Sequence, residues 1–188
     1  TVKVNEFHSV MNLWVKKNYS EARKYAEYVL ESNIGETFNG QAYFVCGCSY
    51  FYDSYNDSLN YLEKSYDIYR SLGRETAAKD VNERMQLLNC YWNKSLNNDL
   101  FIVPNLLSSL NKGEDISKDM ESKKEAIDKP FYNLLKGLNE KNKDVLFLSA
   151  IQFLKKGDSF NASYPKRELY SLGFNPEVLE ELLMMHVD

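Results

Sequence analysis

The chain has 188 residues, 44% hydrophobic and 14% aromatic, which is enough apolar surface to close a continuous core and too much for a disordered chain. Lys and Arg number 23 against 27 Asp and Glu, a net charge of -4 without a long run of one sign, which excludes the basic footprint of a nucleic-acid-binding domain. The longest uncharged stretches, Thr37 to Tyr52 and Val145 to Leu154, fall short of the roughly 20 mainly apolar residues of a bilayer-spanning helix.

Thr1 to Glu6 has neither the basic start nor the apolar core of a secretory signal, and an opening on Thr rather than Met points to preceding sequence. Cys46, Cys48 and Cys90 cannot all pair and lie in helix-like apolar stretches, so a reducing cytoplasm is expected.

In chain order, Phe7, Val10 and Trp14 share one helical face, Asn18-Tyr19-Ser20-Glu21 caps the next helix, and Ala22, Ala26 and Val29 line it. A second hairpin follows. Ala42, Val45, Cys46, Ser49 and Tyr50 recur at three and four, as do Leu59, Leu62, Tyr66 and Tyr69, with a turn and cap at Asp53-Ser54 and Asn56-Asp57-Ser58. Gly47, Tyr50, Ser58 and Ser65 fit the small and aromatic slots of a tetratricopeptide repeat, and Tyr19 and Tyr55 hold equivalent turn positions 36 residues apart.

A third hairpin is less regular, with Val81, Met85, Leu88 and Trp92 as its helical stripe. Phe101 to Pro104 then reads as an extended crossing, because the residue before proline avoids the helical region. Two short helices, Asn105 to Lys112 and Asp115 to Lys129, are expected around a Gly113 stop, with Lys118 to Lys129 charged nearly all round and read as solvated. Phe131, Leu134, Leu135 and Leu138, with Leu146, Ala150 and Phe153, rebuild a hairpin around Gly137 that ends at Lys155-Lys156-Gly157. Short helices at Lys166 to Leu172 and Pro176 to Met185 close the chain. The stripe Val178, Leu179, Leu182, Leu183 and Met184 needs something to pack against, either the preceding repeat or a second copy of the chain.

The reading is all-α, a tetratricopeptide-like superhelix of hairpins with a C-terminal capping segment. Residues 1–96 would hold the hairpins, 97–129 an irregular crossing and 130–188 the last repeat and capping helices, in one continuous domain.

No chemistry is legible. His8 and His186 are the only histidines, and Cys46-x-Cys48 on a helix points its thiols about 200° apart, so no metal site is expected. His8, on an amphipathic first helix, and His186, at the chain end, read as structural rather than as the base of a nucleophilic triad, no glycine-rich phosphate loop exists, and Glu180-Glu181 and Glu114-Asp115 read as solvated. Neither an enzyme nor a cofactor is expected.

A helical-repeat surface binds peptides, and amide side chains can bond a peptide backbone through donor and acceptor alike. Asn12, Asn39, Asn82 and Asn133, on or beside the first helices of hairpins, are the candidates, with plain surface asparagine as the alternative for each.

The closing region, Lys129 to Leu138, Phe153-Leu-Lys-Lys-Gly-Asp158-Ser-Phe160 and Pro165 to Gly173, resembles the C-terminal repeats of the AimR-like arbitrium receptors of temperate phages of Bacillus. Tyr50 to Lys64 and Leu87 to Trp92 are similar to the same family. The resemblance implies a dimeric cytoplasmic transcriptional regulator of the lysis-lysogeny choice, blocked by a short imported signal peptide. It places Asp158 and Phe160 at the peptide, and Leu179, Leu182 and Leu183 in a homodimer contact. A helix cap after Gly157 is the alternative reading of Asp158. The family's helix-turn-helix region has no counterpart here, so DNA contact would belong to a region absent from this chain. A repeat scaffold or phosphatase-regulating receptor that binds a protein partner is the alternative function.

Overall fold

The computed structural model describes residues 1–187, and among these it has eleven α-helices, one 3-10 turn and no strand. They form two compact units that divide after Asn97.

The first unit comprises α1 (Val2–Trp14), α2 (Tyr19–Ser32), α3 (Glu36–Tyr50), α4 (Tyr55–Ser71) and α5 (Glu75–Tyr91), each packed on the next, with α1 also against α3. Asn18 and Ser54 start α2 and α4 by accepting the backbone N–H of Glu21 at 3.1 Å and of Asp57 at 3.4 Å. Lys17, Asn33, Gly73 and Asn93 take left-handed backbone, as residues just past a helix end do.

The second unit comprises α6 (Ile102–Asn111), α7 (Ser117–Ser122), the 3-10 turn Lys124–Ala126, α8 (Lys129–Asn139), α9 (Lys143–Lys155), α10 (Ser159–Ser171) and α11 (Pro176–Val187). Its centre is α9, packed against α8, α10 and α11. Leu134, Leu146, Phe153, Phe160 and Leu169 are fully buried there.

One hairpin crossing occurs in both units. A Cβ on Gly47 would lie 2.7 Å from Leu62 Cγ and 3.1 Å from its backbone nitrogen; on Gly137 it would lie 2.7 and 3.0 Å from the same atoms of Leu146. Three residues beyond each leucine a buried serine donates to the carbonyl seven residues before the glycine. Ser65 Oγ reaches Gly40 O and Ser149 Oγ reaches Pro130 O, both at 2.8 Å. A second hydroxyl bond, Ser58 Oγ to Gly47 O at 2.8 Å, ties the first hairpin only. These crossings are tetratricopeptide-like.

Three expectations change. Helix α6 begins at Ile102, with only Phe101 extended, because Pro104 lies in the first turn where its missing N–H costs nothing. The stretch 115–129 is broken rather than one solvated helix, since Ile116, Met120 and Ile127 are buried anchors. Helix α10 starts at Ser159 and carries Pro165 inside, with Phe160, Ala162, Tyr164 and Leu169 all buried around it. Their burial, at roughly 1.5–3 kcal/mol for each large side chain, outweighs the roughly 3 kcal/mol that an interior proline costs.

Candidate functional site

A groove of about 90 Å³ opens in the first unit where α3, α4 and α5 meet, lined by Gln41, Phe44, Tyr69, Ala77, Asp80 and Val81. Beside it Gly40 lets α3 approach α4 closely, since a Cβ there would sit 3.1 Å from the Tyr69 ring. Tyr69 is buried against this approach, and its hydroxyl donates to Gln41 Oε1 at 3.2 Å. Burial, the larger effect, raises the Tyr69 pKa, so the hydroxyl stays a donor.

Beyond Phe44 the apolar wall continues onto α1, with the Trp14 and Phe44 rings 6.4 Å apart. The Arg84 guanidinium, one turn after Asp80 on α5, lies 5.5 Å from the Trp14 ring and 6.0 Å from that of Phe51. Burial raises the Glu83 pKa, opposed by Arg84. The result is a strip across α1, α3 and α5 with aromatic wall, amide, carboxylate and guanidinium side by side. Such a strip can hold an extended chain, and the groove, far smaller than the roughly 300 Å³ of the smallest drug-sized pockets, takes a side chain rather than a whole ligand.

None of the four candidate asparagines lines the groove. Asn12 is buried in α1 and donates to His8 O at 2.8 Å; Asn82 accepts from Gln86 Nε2 at 3.2 Å; Asn133 is buried and donates to Gln152 Oε1 at 2.7 Å. Asn39 keeps a buried Oδ1 without a hydrogen-bond partner. In the second unit Asp158 is the N-cap of α10, with Oδ1 accepting from the Asn161 backbone at 2.9 Å and Oδ2 from Asn161 Nδ2 at 2.6 Å. Phe160 is 0% exposed and belongs to the core, so it presents no wall to a ligand in this conformation.

Leu179 and Leu183 likewise turn inward, 0% and 1% exposed, because α11 packs on α9 of its own chain. Leu182 lies on the outer side with Val178 and Met185. The carboxylates read as solvated have partners: Glu180 pairs with Lys166, and Asp115 accepts from Ser117 and Asn139.

The groove escaped sequence reading because its members come from three helices and Tyr69 and Val81 read as plain core. The one available signal was Gln41, Phe44 and Cys48 at helical spacing beside Gly40. Burial pushes the Cys46 and Cys90 thiols up to about 12, which removes them as nucleophiles. Among the described residues no group of side chains could hold a metal ion, and no helix is long and apolar enough to cross a membrane.

A family profile described as AimR transcriptional regulator-like matches residues 1–171. A solved structure of selenomethionine phAimR superposes with TM-score 0.85 at 16% identity, over 97% of this chain and 50% of that one. A structure of phAimR with a ligand gives TM-score 0.78, also at 16% identity, over 92% and 54%. The chain thus spans about half the length of the solved chains it matches. No curated protein matches the sequence.

Proposed function

The chain belongs to the AimR transcriptional regulator-like family, and from that premise we propose that it is the peptide-receiving portion of a regulator of the lysis-lysogeny choice. A short signal peptide lies across α1, α3 and α5, and one of its side chains enters the groove between Phe44, Tyr69 and Asp80. The observation that carries this reading is the strip itself, where an apolar wall stands beside polar groups of both signs on helices fixed by packing. Gln41, Asp80 and Arg84 suit the amides and ends of a peptide. Asp158 keeps its cap role in this reading.

Peptide occupancy would block activation in the host cytoplasm, and DNA contact would reside in a part of the longer protein outside these 188 residues. Self-association runs through the outer side of α11, centred on Leu182, rather than through the inward Leu179 and Leu183. The test is a hydrogen-exchange footprint of the chain with and without a short peptide selected from a random library. Protection is expected in α3 and α5; protection confined to α8–α10 would return the site to the second unit.

A further inference from the structure

Lys166 on α10 has a side chain only 3% exposed, and the carboxylate facing it, Glu180 of α11, is 49% exposed. Burying an ammonium is costly, and a counter-charge that still lies half in water returns only part of that cost. Tyr170, one turn on from Lys166, donates to the same carboxylate at 3.0 Å, so Glu180 is the point at which α10 grips α11. On the α9 side α11 is held by Leu179 and Leu183, both buried, and by the His186 ring, edge-on to Phe147 of α9 at 5.7 Å. A 12-residue helix does not hold itself together in water without such support.

We propose that α11 is a releasable arm, latched to α9 and α10 by the Lys166–Glu180 ion pair. Its departure frees Leu179 and Leu183 to join Val178, Leu182 and Met185 in one apolar surface. The physical asymmetry lies in Lys166. When α11 leaves, the ammonium regains water, which offsets part of the lost leucine burial. An apolar residue at 166 has no such gain and holds the arm shut. Removing the carboxylate instead strands a buried cation and drives the arm off. The inference is independent of what the groove binds.

Hydrogen exchange of α11 amides in the intact chain, for wild type, Glu180→Gln and Lys166→Met, tests it. Glu180→Gln is expected to speed exchange in α11 by about tenfold or more with α8 and α9 unchanged. Lys166→Met exchanges no faster than wild type. Equal acceleration in both variants, no acceleration in Glu180→Gln, or acceleration spreading through α8 and α9 would each overturn the latch.

Discussion

Gly47 and Gly137 tolerate no side chain, because the neighbouring atoms include backbone as well as leucine carbons that could yield. Gly47→Ala and Gly137→Ala are therefore expected to lower unfolding free energy by about 1–3 kcal/mol, read by urea titration. Lys141 sets the opposite case, with φ 51° just past α8. There a glycine relieves the left-handed conformation, and Lys141→Gly should stabilise by up to about 1 kcal/mol in the same titration. Asp115 offers a pH test. Hydrogen bonds from the Ser117 side chain, Asn139 and the Ser117 backbone lower its pKa from 3.8 to about 2. A depressed folded pKa means that its contribution is present above pH 3.8 and is lost as pH falls through about 2. Carboxyl-carbon NMR should give that midpoint, and Asn139→Ala should move it upward.

At the scale of elements, legibility followed the strength of local signals. The hairpins α1–α2, α3–α4 and α8–α9 announce themselves by apolar residues at three and four, by Asn18, Ser54 and Asn142 at helix starts, and by a small residue at the crossing. Prolines misled twice in the same direction, each hiding helix. Pro104 falls in a first turn, where it is neutral, and Pro165 sits where surrounding burial overrides local preference. The groove was illegible for another reason, since Gln41 and Val81 are 40 positions apart and meet only when α3 and α5 flank Tyr69. Residue type alone likewise could not say that Asn12 and Asn133 turn inward. Asp158 separates its two sequence readings cleanly. As a cap, Asp158→Ala should cost about 1 kcal/mol of stability while Asp158→Asn costs little, as measured by thermal unfolding.

At the scale of the molecule, each unit buries its own core, and the segment between α5 and α6 is mostly exposed. Its hold on the first unit includes the buried Gln86 side chain, whose Oε1 accepts from the Asn97 backbone at 2.9 Å. Trypsin is accordingly expected to cut first after the exposed Lys94, leaving two fragments that resist further digestion. Early cutting after Lys64 inside α4 or after Lys136 inside α8 would contradict two self-sufficient units. The central claim is that a peptide lies on the first unit's strip, and calorimetry with a library-selected peptide tests it most directly. The expected result is that Phe44→Ala and Asp80→Asn each weaken binding by about tenfold or more while Asp158→Asn leaves it unchanged. Unaltered affinity in both groove variants, or loss of binding in Asp158→Asn alone, would contradict it.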